Sequence, residues 1–540
     1  MRLEDSERRT LEEVATTLQG SSVVSVCAYG SKVAGYARPD SDYDILVVAK
    51  RYGDGVRYRY VKEPVEASAL IVDERMLRHD ARNAYLGEFV AGRFLNVYEP
   101  ILNAELLREV EVDYKARVVT EALFELSSDY GDFNRHVTVP YEYFLFDKLR
   151  KRSIVYPPAL YSYVQTYSCA LGSENKAVSV DGFREAARRI ADKGFLVAER
   201  EGVRILPEKT KGDAFTKTLS LFSLTARGVT QYAVHGYAGR VGFGVFRKEA
   251  FSKLRRMREH PEPPRELDVP RSLLRLEEGR FVADAASLKD ELASEAGFSD
   301  WKATERVLGE PYATTKLVTI RSGAHERSFV VKNFSDVRSL KWAILGVWAA
   351  TARKFSMSPI ARLEREYGAS IGLRAKGVMT PRIAAVAPGE RLLAKDFVDG
   401  PPLSKIIDGV LSGKHDGLAS VTAYGVAMGR VHAASMALGD AKASNVVVAK
   451  DGLYLTDLEQ AVPGGDPAWD LAEFLYYTAK LSTKEERMRE VAEAFLRGYQ
   501  AQGERTAVEK ARSNRYLAPF LPFLIPGMSG MLKEVMADFS

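Results

Sequence analysis

Apolar and polar positions change rhythm several times along the chain. Residues 7–19 set Leu11, Val14, Ala15 and Leu18 at helical spacing, which predicts an amphipathic helix. Residues 23–28 are a buried strand that runs into the turn Gly30-Ser31, and residues 32–36 should open a second helix. The stretch 42–48 (DYDILVV) is a strand with an acidic entrance, and 65–72 is a further strand. Helix and strand continue over 74–112, and from about 115 the texture turns helical. Asp181 can cap a helix carrying Phe183, Ala186, Ala187 and Ile190 that ends at Gly194. Two short strands, 195–198 and 203–206, follow across a Glu201-Gly202 turn. Residues 215–258 read as helical and basic, and the proline- and charge-rich run 259–266 reads as linker. Farther on come a strand over 328–334 with Lys332 near its end, a helix carrying Glu364 and Glu366, and a strand over 453–455. Asp466 and Asp470 then stand ahead of an apolar helix.

Length and composition narrow the picture. A chain of 540 residues suggests about three or four domains. Net charge of +5 is compatible with nucleotide or RNA partners without arguing for either. Two cysteines, Cys27 and Cys169, make neither a disulfide framework nor a thiolate metal site. The charged start is not a signal peptide, and no run of about 18 apolar residues exists to span a membrane, so a cytoplasmic protein is expected.

The candidate chemistry begins with Asp42 and Asp44. Alternate residues of a strand share one face, so the two carboxylates stand together and repel unless a cation sits between them; oxygen ligands of this kind suit Mg²⁺ or Mn²⁺. Gly30-Ser31 offers backbone N–H groups and a hydroxyl to a phosphate. Gly-Ser, ten residues, then Asp-x-Asp, with Gly35 and the Ala37–Asp42 approach, resembles the nucleotidyltransferases of the DNA polymerase beta superfamily, closest to its minimal type. The resemblance implies an NTP substrate and a third carboxylate from a neighbouring strand. Glu66 is the choice for that role, as general base or metal ligand, with Glu63 and Asp73 as rivals.

A second set of motifs lies beyond residue 300. Lys332 at the end of an apolar strand wants a phosphate or a carboxylate. Asp440 and Asn445 lie five apart on a loop, and Asp457 follows a strand. With the Glu366–Gly377 spacing, Gly439-Asp440-x-x-x-Ser444-Asn445 and Gly465-Asp466-Pro467-x-x-Asp470-Leu471-Ala472, this half resembles the protein-kinase-like superfamily, nearest the small atypical kinases of the KEOPS tRNA-modification complex and the RIO group. The resemblance implies Lys332 on ATP phosphates, Glu366 as its partner, Asp440 as catalytic aspartate, and Asn445 and Asp457 as metal ligands. Leu438 replaces the usual histidine, Asp457-Leu458-Glu459 replaces Asp-Phe-Gly, and Gly309–Tyr312 is a poor glycine-rich loop. Between the two halves, residues 140–210 resemble a winged helix, whose Arg184, Arg188, Arg189, Lys193 and Arg204 could touch nucleic-acid phosphates or serve an architectural spacer.

The expected fold is α+β and multidomain: a nucleotidyltransferase α/β domain (1–114), a helical and winged-helix-like domain (115–258), a linker (259–299) and a bilobal kinase-like domain (300–540). The expected activity is Mg²⁺-dependent transfer of NMP from NTP to a protein or RNA acceptor, tRNA among them, fused to an ATP-dependent kinase-like site. Two other readings are a regulatory protein that modifies itself or a toxin-like partner, and a non-catalytic nucleotide-sensing scaffold that binds nucleic acid.

Overall fold

The computed structural model describes residues 3–194, 196–206, 267–283, 286–308, 315–334, 358–414, 416–480, 482 and 484–540. The expected basic helical stretch 215–258, the linker run 259–266 and Gly309–Tyr312 lie outside these residues. The protein is mixed α and β and divides into two compact units, residues 1–129 with 137–275, and residues 130–136 with 276–540.

The first unit opens with α1 (Asp5–Gln19), whose Leu11, Val14 and Ala15 are buried as their spacing requires. Then come β1 (Val23–Tyr29), the single turn α2 (Ser31–Ala34), β2 (Tyr43–Ala49), β3 (Val56–Val61), β4 (Ala67–Asp73), α3 (Glu74–Asn83), β5 (Glu99–Leu102) and α4 (Ala104–Tyr130). The helix expected over 32–36 stops early because Gly35 adopts the left-handed conformation at φ 84°. The five strands form one sheet in the order β3-β4-β2-β1-β5. β2 and β4 are its parallel pair, in register Tyr43 with Ala67 and Asp44 with Ser68.

The expected boundary at 114–115 falls inside α4, which runs on without a break. The reason is electrostatic. Glu88 is buried and is met by Arg117 at 2.7 Å, Lys148 at 2.7 Å and Arg152 at 3.3 Å, all beyond that boundary. Burial opposes ionisation of Glu88, but the three cations outweigh it and hold the carboxyl far below the usual range.

The same unit continues with β6 (Val137–Pro140), α5 (Tyr141–Val155), α6 (Pro158–Ser168), α7 (Gly172–Ala191), β7 (Leu196–Ala198) and β8 (Gly202–Ile205), with β8 antiparallel to both β6 and β7. Asp181 is not a cap: it lies mid-helix and pairs with Arg108 at 2.7 Å. The first half of α7 buries Asn175 and Ser179, polar residues that a hydrophobic rhythm passes over.

β9 (Arg275–Leu276) lies where the chain passes from one unit to the other. The second unit carries β10 (Arg280–Phe281), α8 (Leu288–Ala296), β11 (Lys302–Val307), β12 (Thr315–Ser322), β13 (His325–Asn333), α9 (Pro359–Ala375), β14 (Ile383–Ala387) and β15 (Leu392–Asp396). Their sheet runs β10-β14-β15-β13-β12-β11. Residues 276–299, expected as linker, thus supply a strand of this sheet and a helix packed on it.

Beyond β15 the unit is largely helical: α10 (Leu403–Ser412), α11 (Leu418–Ala433), short strands β16 (Met436–Ala437), β17 (Val446–Val448), β18 (Leu453–Leu455) and β19 (Val462–Pro463), then α12 (Pro467–Ala479) and α13 (Glu485–Tyr499). α11 and α13 approach so closely that a β-carbon on Gly425 would stand 2.1 Å from the Phe495 carbonyl oxygen, and one on Gly498 2.1 Å from that of Thr422. Around them lies a large core that includes Tyr424, Phe474, Leu475 and Phe495.

Candidate active sites

In the first unit the strand register does the grouping. Asp44 pairs with Tyr29 of β1 on one side and Ser68 of β4 on the other. Asp42 is exposed just ahead of β2, Glu66 is exposed just ahead of β4, and the Tyr43 N–H donates to the Glu66 carbonyl at 2.9 Å. Asp42 and Glu66 therefore stand at the entrances of adjacent parallel strands, on the face that carries Asp44. Of the rivals, Glu63 is exposed on the loop. Asp73 sits at the opposite end of β4, accepting from the N–H groups of Arg75 at 2.9 Å and Tyr52 at 3.0 Å as the cap of α3.

Gly30 closes the arrangement. It holds φ 80°, and a β-carbon there would lie 2.2 Å from Asp44 Oδ2. The Gly30-Ser31 turn thus leans directly on the carboxylate, and only glycine permits both the angle and the approach. Sequence reasoning missed Arg93. Its Nε donates to Tyr29 Oη at 3.1 Å, its Nη2 to Tyr58 Oη at 2.5 Å, and it also bonds the Phe89 carbonyl. Burial, chiefly, holds the Tyr29 hydroxyl well above its ordinary range, so it stays neutral beside Asp44. Nothing in the local pattern GRF singles Arg93 out; its side-chain partners, Tyr29 and Tyr58, lie on two distant strands.

In the second unit the candidates from distant stretches converge. Lys332 Nζ on β13 lies 2.5 Å from Asp457 Oδ1, 2.9 Å from Glu459 Oε2 and 3.4 Å from Glu366 Oε2. Lys395 of β15 takes the other Glu366 oxygen, and Arg362 meets Glu459 at 3.2 Å. Burial resists the charge on Glu366, yet Lys332 and Lys395 bring its pKa down to about 2. Burial, then Glu366 and Glu459, push Asp457 up to about 6 against the pull of Lys332. Oxygen atoms of Glu366, Asp457 and Glu459 lie within 4.8 Å of one another, an all-carboxylate set whose crowding a hard divalent cation would relieve.

The loop after β16 supplies the other expected residues. Asn445 Nδ2 donates to the Asp440 carbonyl at 3.0 Å, and the Thr456 N–H donates to the Asn445 carbonyl at 2.8 Å, so Asn445 is tied to Asp440 and to the residue before Asp457. Lys442 pairs with Asp440 at 2.5 Å. Asp470 is not ahead of its helix but buried within α12. It accepts from the N–H groups of Leu438 at 2.5 Å and Gly439 at 2.7 Å, and lies 3.1 Å from His432 Nε2, which anchors the loop. Asp466 is the N-cap of α12, accepting from the Ala468 N–H at 3.1 Å.

Lys395, Lys442 and Glu459 were missed. Lys442 and Glu459 each lie two residues from a named aspartate, a spacing that could have flagged them. Lys395 could have been flagged as a lysine inside an apolar strand.

A family model described as a nucleotidyltransferase domain matches residues 8–125. No curated protein matches the chain. Among solved structures, WaaP in complex with acyl carrier protein is similar at 12% identity over 45% of this chain and 92% of that one, with a TM-score of 0.28, too low to carry an argument. The chain carries a nucleotidyltransferase domain at residues 8–125, and with it the general activity of a transferase that uses an NTP.

Proposed function

We propose that the first unit transfers an NMP from an NTP to a hydroxyl of a protein or RNA acceptor, and that the second is an ATP-dependent kinase-like phosphotransferase. The observation that carries the first part is the contact of the Gly30 backbone with the Asp44 carboxylate. It joins the phosphate-holding turn to the acidic strand in one site. In this reading Gly30 and Ser31 hold the triphosphate, while Asp42 and Asp44 hold a divalent cation. The cation supplies charge neutralisation and alignment when bound. The acceptor oxygen attacks the α-phosphorus, pyrophosphate leaves, and Glu66 takes the acceptor proton.

In the second unit Lys332 would grip the phosphates, with Glu366 as its fixed counter-charge. Asp440 would orient the acceptor hydroxyl, and Asn445 and Asp457 would hold the cation. Support comes from the convergence of Lys332, Glu366 and Asp457 from three separate elements.

The experiment is parallel incubation of the chain and total RNA with α-³²P-ATP and γ-³²P-ATP. Wild type is compared with Asp42→Ala/Asp44→Ala and with Asp440→Ala. α-Label that vanishes in the first variant establishes the transferase, and the labelled band identifies the acceptor class. γ-Label that survives the first variant and is lost in Asp440→Ala establishes an independent kinase. ATP binding without transfer of either label would sink both activities and leave a sensing scaffold. A mass shift of the protein alone would favour self-modification.

A further inference from the structure

The first unit holds a cavity of about 530 Å³ in which no residue proposed for either reaction takes part. Its lining combines Tyr141 at the start of α5, Arg184 and Arg188 on α7, Arg200 in the β7–β8 turn, and Arg275. A volume of this size lies within the usual range for small-molecule sites. The cavity is built rather than incidental. The Tyr141 hydroxyl donates to the Glu199 carbonyl at 2.7 Å, which ties the turn to α5, and the Arg184 guanidinium lies 5.6 Å from the centre of the Tyr141 ring.

Ion pairs sort the cations of this region into spent and available. Arg204 is engaged by Glu199 at 2.6 Å and Arg275 by Glu201 at 2.6 Å. Arg189, beside Arg188 on α7, is engaged by Asp113. Among the described residues Arg188 and Arg200 have no ion-pair partner, and Arg184 rests only on the tyrosine ring. Glu142 is the one lining carboxylate left to oppose these three arginines. Arg184 and Arg188 are four apart, so they project from the same helix face. Guanidinium groups lining one concave space suit a phosphate, which can accept two N–H bonds from a single fork.

We propose that this cavity is a phosphate-binding site, taking a free polyphosphate such as that of a nucleotide or the phosphodiester backbone of a single strand. It is independent of both candidate active sites and of their chemistry.

The test uses the full chain in EDTA, so that metal-dependent nucleotide binding elsewhere is suppressed. Anisotropy of a short fluorescein-labelled single-stranded RNA is followed at rising salt, with competition by ATP and by sodium tripolyphosphate. Arg188→Glu and Arg200→Glu are compared with Arg189→Glu, and thermal melts check folding; Arg188 and Arg200 are exposed, so both variants should fold. The expected result is binding that weakens with salt and falls by about tenfold or more in Arg188→Glu and Arg200→Glu, against less than about twofold in Arg189→Glu. Displacement by tripolyphosphate identifies a free polyphosphate as sufficient; RNA binding that ATP and tripolyphosphate leave untouched identifies the polymer backbone. An equal loss in all three variants means diffuse surface charge and overturns the proposal. So does the absence of binding by every probe.

Discussion

In the first unit Asp42, Asp44 and Glu66 are grouped by the backbone: a parallel strand pair sets them on one face, and Gly30 presses on one of them. In the second unit Glu366, Asp457 and Glu459 are grouped by counter-charges, with Lys332, Lys395 and Arg362 threaded among them. A site assembled by the backbone keeps its shape when a side-chain charge is removed. A site assembled by buried ion pairs does not, because each lost partner strands a charge away from water. The comparison therefore separates activity from stability: the first site should lose one without the other, and the second should lose both.

The sharpest attempt to break it sets Lys332→Met against Asp42→Asn/Asp44→Asn in urea unfolding. Lys332→Met should destabilise the second unit by about 3 kcal/mol, since it removes the counter-charge of Asp457 and one of the two cations of Glu366 and of Glu459, and should also abolish γ-label transfer. Asp42→Asn/Asp44→Asn should lower α-label transfer by about a thousandfold while shifting the first unit's transition by less than about 1 kcal/mol. Equal destabilisation by the two variants would erase the distinction.

A finer contrast lies within α9. Glu366 faces the two lysines, while Glu364, two residues away, is met by Arg135 and by His136 Nε2 at 3.0 Å. Glu366→Gln should cut γ-label transfer by about a hundredfold, and Glu364→Gln should leave it within about twofold, read as initial rates at saturating ATP.

The smallest effect is a pH dependence with two windows of opposite sign. Asp457 has its pKa raised from the ordinary 3.8 to about 6 in the folded protein, so its contribution favours folding below pH 4 and is lost as pH rises through 6. Glu366 has its pKa lowered from 4.5 to about 2, so its contribution is present above pH 4.5 and is lost as pH falls through 2. Denaturation midpoints of the second unit between pH 4 and 7 should fall more steeply for wild type than for Asp457→Asn. Parallel curves would mean that Asp457 is not crowded as its neighbours imply.

What the sequence made legible follows the same division. The Gly-Ser turn, the acidic strand and its parallel neighbour lie within 45 residues and are governed by local rules, so β2 was read to within one residue and β4 to within two. The spacing of Asp440, Asn445 and Asp457 corresponds to a loop in which the Asn445 side chain bonds the Asp440 carbonyl and the Thr456 N–H, next to Asp457, bonds the Asn445 carbonyl. Arg93 was not legible, because its side-chain partners Tyr29 and Tyr58 come from strands more than thirty residues away. The first half of α7 was hidden for another reason, namely that its inward positions include Asn175 and Ser179. Asp470 looked like a residue ahead of a helix, yet its carboxylate is spent on the backbone of a loop some thirty residues earlier.

The Glu88 cluster bears on how this chain could be divided. The recognisable transferase segment ends at 125, but two of the three cations that neutralise Glu88, Lys148 and Arg152, come from α5. A fragment cut at the edge of the recognisable segment would keep Gly30, Ser31, Asp42, Asp44 and Glu66 and lose two of the three charges that neutralise Glu88. A piece that runs through α5 keeps all three cations around Glu88, so the helical region and the transferase segment share one electrostatic core.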